Sequence, residues 1–249
     1  METKLNIIGV IPARYESTRL EFKLLRIICG KSLLQWTWEN ASAAHSLDKL
    51  IIACDHTEIK KEAEKFGAEV ILTSSDHSSG TDRIAEAIRD IDAKIVINIQ
   101  ADEPLVHHSI IDRLAQEMLS DKELVMATAK KRIDNESEIN SPNVVKVVTT
   151  RGDTALYFSR FPIPFYRDQG NLPLYYKHLG IYAYTKDFLY TFKNLPSSSL
   201  EEAEKLEQLR ALEAGYKIKV VETQFDSCGV DTEEDLRNVE RLLTERGNT

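Results

Sequence analysis

The sequence predicts an α/β fold with a mostly parallel sheet, helices on both faces of that sheet and an antiparallel insertion. Short apolar runs rich in β-branched residues alternate with amphipathic runs, and this alternation is typical of βαβ units. The strand-like runs are 5–11, 49–53, 68–72 and 94–99, and two of the helix-like runs are 33–44 and 58–66. After about residue 134 the rhythm changes, because strand-like runs follow one another without helices between them.

The second half of the chain contains the predicted insertion and returns to helices at its end. We place the insertion at approximately 134–190, with strand-like runs at 143–149, 155–159 and 178–184. A helix over 199–215 with Gly215 as its C-cap, a strand over 217–222 and a last helix from about Thr232 follow. At 249 residues the chain suits one main body, so we expect a single domain over 1–249.

The charge and the composition exclude several classes of protein. A formal net charge of −8 argues against a nucleic-acid partner, which needs clustered cations. No apolar run is long enough to cross a bilayer, so we expect no membrane partner. Cys29, Cys54 and Cys228 lie far apart without CxxC spacing, which favours neither a disulfide framework nor a zinc site. The apolar start is interrupted by Pro12 and Arg14 before it reaches the form of a signal peptide, so we expect a cytoplasmic protein.

The first candidate site is the polar segment 12–23, PARYESTRLEFK, which leaves the first predicted strand. Its cations are Arg14, Arg19 and Lys23, and such a segment can wrap a polyphosphate with backbone N–H groups and these side chains. It matches neither GxGxxG nor GxxxxGK[ST], the two common phosphate-binding motifs. The alternative is a solvated basic turn.

Two further segments carry carboxylates next to predicted strand ends. Gln100, Asp102 and Glu103 end a buried-looking strand, where a carboxylate pair facing a cationic loop suits Mg²⁺. The alternative for Asp102 is an Asx turn or the N-cap of the following helix. Asp231 lies just before a capping-box pattern formed by Thr232 and Asp235, and it is a candidate for a second carboxylate on the same metal or on a partner metal ion.

The segment 78–83, SSGTDR, combines small hydroxyl residues with a glycine. Such residues allow close approach to a base or a ribose. Arg83 is a candidate phosphate ligand, and the alternative is an ion pair on its own helix, because this segment also has the pattern of a helix start.

The predicted insertion carries polar groups that suit an anionic sugar. Arg160, His178 and Tyr182 supply a guanidinium, an imidazole and a phenol. His178 and Tyr182 lie on one predicted strand, where alternation places both side chains on the same face. Core or dimer contacts are the alternative role for these residues.

Taken together, these segments resemble the CMP-Kdo synthetases, the 3-deoxy-manno-octulosonate cytidylyltransferases. The resemblance covers nearly the whole chain. It runs in order through IPARYESTRL, SSGTDR, INIQADEP, NVVKVV, ALYFSRFPIP, YKHLGIYAY, EKLEQLRALEAGYKIKVV and GVDTEEDL. It implies a nucleotide-diphospho-sugar transferase-like fold, in which the insertion forms sugar-binding and dimer contacts, and therefore a homodimer.

The resemblance also implies a reaction and a set of site residues. CMP from CTP would be coupled to 3-deoxy-D-manno-octulosonate (Kdo) with release of pyrophosphate, for lipopolysaccharide biosynthesis. By position, Arg14, Lys23, Asp102 and Asp231 are the expected catalytic residues, and Asp102 and Asp231 are the expected ligands of Mg²⁺. The expected CTP-binding residues are Ala13, Arg14, Arg19, Lys23, Ser78, Gly80, Thr81, Arg83 and Gln100. The expected sugar-binding residues are Arg160, His178, Tyr182, Glu207 and Gln208.

Two positions depart from the family pattern. Where the family often reads RLPGKPL, this chain has Glu21 and Phe22 in place of Pro and Gly, and an extra carboxylate repels the triphosphate unless Glu21 points away. Ala101 stands where the family commonly has Gly, and a requirement for positive φ there would cost roughly 1 kcal/mol.

Three other functions remain open at this point. The same chemistry can activate 8-amino-Kdo, a sialic acid or another sugar acid, and only the protein's contacts around the sugar distinguish these activities. A nucleotide-binding homologue with impaired catalysis is a second possibility, for which Glu21, Phe22 and Ala101 are the only hints. The third is a dehydrogenase with a dinucleotide-binding fold, and the missing GxGxxG motif argues against it.

Overall fold

A computed structural model of the chain describes residues 5–17, 19–167 and 174–247. Thr18 of the first motif and residues 168–173 of the predicted insertion lie outside these ranges. The strands are β1 (Leu5–Ala13), β2 (Ile27–Ile28), β3 (Lys31–Ser32), β4 (Lys49–Cys54), β5 (Glu69–Leu72), β6 (Ala93–Asn98), β7 (Met126–Arg132), β8 (Lys146–Thr149), β9 (Ala155–Ser159), β10 (Tyr176–Thr185) and β11 (Lys219–Thr223). The helices are α1 (Leu33–Ser42), α2 (Thr57–Lys65), α3 (Gly80–Ala87), α4 (His108–Ser120), α5 (Glu136–Asn140), α6 (Lys186–Asn194), α7 (Ser199–Glu204), α8 (Gln208–Glu213) and α9 (Glu233–Gly247).

The main sheet has the strand order β11-β7-β10-β6-β1-β4-β5. Strand β1 pairs in parallel with β4 and β6, β4 pairs in parallel with β5, and β11 pairs in parallel with β7. Strand β10 is antiparallel to both of its neighbours, β6 and β7, and also pairs with β8, which forms an antiparallel pair with β9. The prediction of a mostly parallel sheet with an antiparallel part is confirmed.

The predicted insertion at 134–190 is not separate from the main body. Its three predicted strands are present as β8, β9 and β10, but β10 lies in the middle of the main sheet, between β6 and β7. Side chains along β10 alternate between buried and partly buried positions, so one face of this strand is less covered than the other. Among the three strands of 134–190, only β8 and β9 lie outside the main strand order.

Two further elements differ from the sequence prediction. The helix predicted over 199–215 is divided into α7 and α8, because Lys205 adopts a left-handed backbone conformation with φ 54° and ψ 47°. Gly215, with φ +86°, terminates α8 as predicted. Strand β7 was not predicted, since its sequence MATAKKR contains only one β-branched residue, Thr128, and ends in three cations.

Helices cover both faces of the sheet, as the alternation along β1 shows. Ile7 and Ile11 pack in a core with residues of α1, α2, α4 and α9. Ile8 and Val10 face the opposite way and pack with residues of α3, α6 and α8. Within the described residues, no helix is long and apolar enough to cross a membrane.

The sheet brings the candidate segments to one edge. Strands β1 and β6 are parallel neighbours, with Val10 opposite Asn98, so the segments that follow them leave the sheet on the same side. Ligands of open α/β sheets bind outside the carboxyl ends of the strands. The segments after β1 and β6 are therefore placed to share one site.

Candidate active site

Two carboxylates converge on one ammonium at this edge of the sheet. Lys23 Nζ lies 2.6 Å from Asp102 Oδ2 and 2.9 Å from Asp231 Oδ1. Arg19 Nη2 lies 2.8 Å from the other oxygen of Asp231. Burial lowers the pKa of the Lys23 ammonium, but the adjacent Asp102 and Asp231 carboxylates outweigh it and raise that pKa above its ordinary value. Predicted residues from three distant parts of the chain thus form one cluster.

The backbone fixes both carboxylates. The N–H of Val230 donates to the carbonyl of Asp102 at 2.9 Å, which ties the segment after β6 to the segment before α9. The N-cap of α4 is His107, so the alternative in which Asp102 caps this helix is wrong. The predicted cap of the last helix is confirmed, because Asp235 Oδ2 accepts from the N–H of Thr232 at 2.9 Å.

The donor set suits Mg²⁺ with help from a substrate. The oxygens of Asp102 and Asp231 already converge on one cationic group, and Mg²⁺ is held in proteins by one or two carboxylates together with phosphate oxygens and water. Across the described ranges, no group of three or more His, Cys, Asp or Glu residues could hold a metal ion by itself. A metal ion held by Asp102 and Asp231 would need further ligands, such as phosphate oxygens and water.

A polar cleft surrounds this cluster. It has a volume of about 280 Å³ and is lined by Arg14, Glu16, Ser17, Arg19, Leu20, Lys23, Asp102 and Asp231. A smaller cleft of about 170 Å³ shares Arg14, Lys23 and Asp102 with it and adds Pro12, Gln100 and Ala101. Gln100 Nε2 donates to Asn98 Oδ1 at 3.1 Å, and the side chain of Ala13 is fully buried, so Ala13 can offer a ligand only its backbone. The solvated-turn alternative for 12–23 does not explain a cationic segment that faces two clefts.

The two positions that depart from the family pattern behave differently. Phe22 adopts a left-handed conformation with φ 51°, the region that favours glycine, and its ring lies 4.8 Å from the ring of Tyr15. Glu21 is exposed and lines a neighbouring cleft with Phe22 and Tyr15, and not the one that contains Lys23. Ala101 does not have a positive φ, so the strain considered for that position is absent.

The segment 78–83 forms the start of α3, and it is held against β1. Ser79 is the N-cap of this helix and Ser78 Oγ donates to Asp82. A Cβ added to Gly80 would lie 3.3 Å from Pro12 Cγ, so glycine permits the close approach of α3 to the end of β1. Thr81 Oγ1 donates to Glu207 Oε2 at 3.0 Å.

Arg83 is buried and does not face a cleft. Its Nη2 lies 2.9 Å from Asp55 Oδ2, and its Nη1 donates to Thr73 Oγ1 at 2.7 Å. Asp55 in turn accepts from the N–H of Tyr15 at 2.8 Å. The expected role of Arg83 as a direct CTP ligand does not fit this geometry; it anchors the backbone that follows β1.

Replacing Arg83 by Met should lower the free energy of unfolding by about 3 kcal/mol, because it leaves the buried Asp55 carboxylate without its counter-ion. Urea denaturation of the variant measures this loss. Arg89→Met, at an exposed position just after α3, is the matched control and should change stability little. A loss of less than about 1 kcal/mol for Arg83→Met would contradict the anchoring role.

A larger cleft of about 730 Å³ adjoins the cationic one and shares Arg19 and Asp231 with it. Arg160 and His178, two of the expected sugar-binding residues, line this cleft. Asp231 therefore lies at the junction between the two clefts. A group bound in the larger cleft can approach a phosphate bound in the smaller one.

His178 is a neutral hydrogen-bonding group. Burial lowers its pKa to about 3, so the imidazole carries no charge at neutral pH. Its Nε2 lies 2.9 Å from Thr128 Oγ1, and that hydroxyl donates to the carbonyl of Ile181 at 2.8 Å. The hydroxyl therefore accepts from Nε2–H, and this tautomer leaves Nδ1 as an acceptor. The rings of His178 and Tyr182 lie 5.4 Å apart, which confirms that they share a face.

Arg160 is held firmly by backbone carbonyls. Its Nε donates to the carbonyl of Glu204 at 2.7 Å and its Nη1 to that of Pro142 at 2.9 Å. Buried Lys146 donates to the carbonyl of Arg160 at 2.6 Å and to two other carbonyls of the adjoining loop. The break at Lys205 exposes the carbonyl of Glu204 to Arg160, so the helix interruption helps to position the guanidinium.

The other expected sugar-binding residues, Tyr182, Glu207 and Gln208, do not line the larger cleft, and the ring of Tyr182 lies 5.4 Å from the ring of His178, which does. Burial raises the pKa of Glu207, whose carboxylate accepts from Thr81. Burial and the nearby Glu207 carboxylate raise the pKa of Tyr182 well above its ordinary value. Gln208 is 4% exposed, and its Nε2 has no hydrogen-bond partner. A buried amide without a partner is costly and suits a site that a ligand completes.

The large cleft also contains charged residues that were not predicted as sugar ligands. Lys177 Nζ lies 2.5 Å from Glu138 Oε1 and 2.8 Å from Asp226 Oδ1. Burial, with the Asp102 and Asp226 carboxylates, raises the pKa of Glu103 to about 8. Glu103 was visible in the sequence beside Asp102, but Lys177 and Asp226 are 49 positions apart and only the fold brings them together.

Comparisons with known proteins identify the family of this chain. A family model described as cytidylyltransferase matches residues 8–218. The 3-deoxy-manno-octulosonate cytidylyltransferase of Solibacter usitatus is 50% identical over 237 residues, which cover 95% of this chain and 94% of the relative. That of Syntrophobacter fumaroxidans is 49% identical over 245 residues, covering 97% and 98%.

The comparison with solved structures gives the same result. A structure of CMP:2-keto-3-deoxy-manno-octonic acid synthetase complexed with CTP superposes with a TM-score of 0.92 at 39% identity, covering 97% of this chain and 99% of that chain. The nucleotide-diphospho-sugar transferase-like fold expected from the sequence is confirmed. The chain belongs to the cytidylyltransferase family, among the 3-deoxy-manno-octulosonate cytidylyltransferases.

Proposed function

We propose that this chain couples CMP from CTP to Kdo and releases pyrophosphate, as a step of lipopolysaccharide biosynthesis. The observation that carries this is the junction of two clefts at Arg19 and Asp231. One cleft is cationic and holds a carboxylate pair, and the other is lined by groups that suit a polyhydroxylated acid. Membership of the family supplies the reaction, and the clefts supply a place for each reactant.

Asp102 and Asp231 are the proposed ligands of Mg²⁺. When bound, the ion neutralises phosphate charge and lowers the pKa of a hydroxyl that it polarises. Arg14, Arg19 and Lys23 line the same cleft and bind the phosphates through charge-assisted hydrogen bonds. These three cations hold the triphosphate in this cleft, which adjoins the larger cleft at Arg19 and Asp231.

The larger cleft holds the sugar acid in this proposal. Arg160 keeps unused N–H donors beside those bound to carbonyls, and they can take the C1 carboxylate. His178 Nδ1 accepts from a sugar hydroxyl, and Glu207 and Gln208 complete the hydrogen bonds at the buried end with Tyr182. The C2 hydroxyl oxygen then forms a bond to the α-phosphorus in line, the bond from that phosphorus to the oxygen bridging the α- and β-phosphates breaks, pyrophosphate leaves, and the hydroxyl proton passes to water. Positioning and charge neutralisation dominate such a step.

The start of α3 is the proposed neighbour of the cytidine. Ser78 is exposed there, and Gly80 and Thr81 lie next to the end of β1, where Ala13 and Gln100 offer backbone and amide groups. Small side chains at this place permit close approach of a ribose or a base. Arg83 supports this pocket through Asp55, as described above.

We also infer a homodimer in the cytoplasm. Three large apolar side chains in or beside β9 are exposed, Leu156 at 60%, Phe161 at 74% and Phe165 at 85%. They lie within the range 134–190 that the family resemblance associates with dimer contacts. Large apolar side chains that are exposed in this way are typical of a protein–protein interface.

Replacing Glu21 by Gln should leave the KM for CTP unchanged within about twofold, because Glu21 is exposed and lies outside the cleft that contains Lys23. Initial rates over a range of CTP concentrations at two salt concentrations measure the effect. A fall in KM that shrinks with added salt would place the Glu21 carboxylate beside the triphosphate instead.

A pyrophosphate-release assay with CTP, Mg²⁺ and Kdo tests the proposed reaction. We expect turnover only when all three are present, and a much lower rate when UTP replaces CTP. Absence of pyrophosphate with Kdo, in a protein that is folded by circular dichroism, would overturn the proposal. So would equal rates with and without the sugar acid.

A further inference from the structure

Lys23 stands in the position that the proposed metal ion needs. Its ammonium bonds Asp102 Oδ2 at 2.6 Å and Asp231 Oδ1 at 2.9 Å, the two carboxylates assigned above to Mg²⁺. Carboxylate ligands of Mg²⁺ lie at about 2.0–2.1 Å, and the ion tolerates little deviation from octahedral geometry. An ion bound by the same oxygens competes with the ammonium for their lone pairs and for the space between them.

The charges of the nucleotide-free cluster are already balanced. Arg19 Nη2 lies 2.8 Å from Asp231 Oδ2, so the second oxygen of that carboxylate also faces a cation. Two carboxylates thus face one ammonium and one guanidinium, and the cluster offers a metal ion little net attraction. Lys23 is also the more firmly held of the two cations, because its side chain is 12% exposed and that of Arg19 is 64% exposed.

The same two cations face the cleft in which the triphosphate is proposed to bind. A polyphosphate brings several anionic oxygens, which compete with the carboxylates for Lys23 and Arg19. Once these cations turn to the phosphates, the Asp102 and Asp231 carboxylates lose their counter-ions and the metal site becomes available. The arrangement therefore links the metal site to occupancy of the phosphate cleft.

We propose that Lys23 is a built-in counter-ion that blocks the metal site until a nucleoside triphosphate draws it away, so that the divalent cation binds after or together with the nucleotide. This inference rests on the proposed assignment of Asp102 and Asp231 as metal ligands. It adds an order of binding, and a second role for Lys23 besides contact with phosphate.

The test measures Mn²⁺ binding to nucleotide-free protein by electron paramagnetic resonance of the free ion. Lys23→Met, which keeps the length of the side chain and removes its charge, should bind Mn²⁺ at least about tenfold more tightly than wild type. Arg19→Gln should show a smaller gain, because Arg19 contacts only one carboxylate and is exposed. Arg26→Gln is the matched control, since Arg26 pairs with Glu233 outside the cluster, and it should bind Mn²⁺ as wild type does.

Two results would overturn the proposal. One is Mn²⁺ affinity in Lys23→Met no greater than in wild type, whatever Arg19→Gln shows, and the other is an equal gain in Arg26→Gln, which would indicate a general charge effect. The double variant Lys23→Met/Asp102→Asn distinguishes failure of the proposal from failure of the metal assignment. If the double variant loses the gained Mn²⁺ affinity, both the proposal and the metal assignment are supported. If it keeps the gained affinity, the ion binds elsewhere, which removes the metal pair on which the inference rests. The pyrophosphate assay on wild type tests the reaction independently of either result.

Discussion

Replacing Asp102 or Asp231 by Asn is expected to lower kcat/KM for the cytidylyl transfer by about a hundredfold or more in each case. The substitution keeps the shape of the side chain and removes one of the two negative charges that converge on Lys23. A preorganised electrostatic group of this kind typically contributes two to three orders of magnitude to the rate. Steady-state pyrophosphate release with CTP and Kdo, measured at several Mg²⁺ concentrations, gives the effect.

The control for these two variants is Asp90→Asn, at an exposed carboxylate after α3 that lies outside both clefts. It should keep wild-type kcat/KM. Partial recovery of the Asp102→Asn variant at high Mg²⁺ concentration would support a role in holding the ion. Near-normal activity of a folded Asp231→Asn variant would remove Asp231 from the active site and leave the junction of the clefts without its proposed role.

The preferred acceptor is expected to be Kdo, with kcat/KM about a thousandfold or more above that for N-acetylneuraminate. The buried end of the proposed sugar site is polar and fixed: Glu207 is held by Thr81, and Gln208 has an unpaired Nε2. A site built to pair sugar hydroxyls rejects a sugar that leaves these groups unmatched far more strongly than an apolar pocket does. Competing the acids against each other with limiting CTP gives the ratio directly.

8-Amino-Kdo is the sharper comparison, because it differs from Kdo by a single group. The Glu207 carboxylate can pair with an ammonium, so we expect measurable activity with the amino sugar, below that with Kdo. A higher kcat/KM for 8-amino-Kdo would change the identity of the substrate while keeping the site. A preference for N-acetylneuraminate would contradict the assignment of the larger cleft to Kdo.

Much of the active site could be predicted because its residues lie next to strand ends. Asp102 follows β6 and Lys23 follows β1, and parallel neighbouring strands deliver such segments to one edge of the sheet. The capping pattern of Thr232 and Asp235 likewise located the start of α9 and with it Asp231. Both are local sequence signals, so they can be recognised before the fold is known.

Other features depend on partners far along the chain and could not be predicted. Arg83 has the pattern of a phosphate ligand at a helix start, but its guanidinium is taken by Asp55, which is 28 positions away. Lys130 made β7 difficult to recognise from the sequence. Its side chain is buried because Asp153 accepts a hydrogen bond from its ammonium at 2.9 Å. The central place of β10 is set by pairing with β6 and β7, which periodicity alone does not encode.

The most direct measurement is a ³¹P NMR time course of wild-type protein with CTP, Mg²⁺ and Kdo in one tube. The proposed reaction predicts that a phosphodiester signal of CMP-linked Kdo and the signal of pyrophosphate rise together in a one-to-one ratio. Neither signal should rise when Kdo is left out. Release of pyrophosphate with free CMP as the product, or turnover that does not depend on Kdo, would contradict transfer of CMP to the sugar acid at this site.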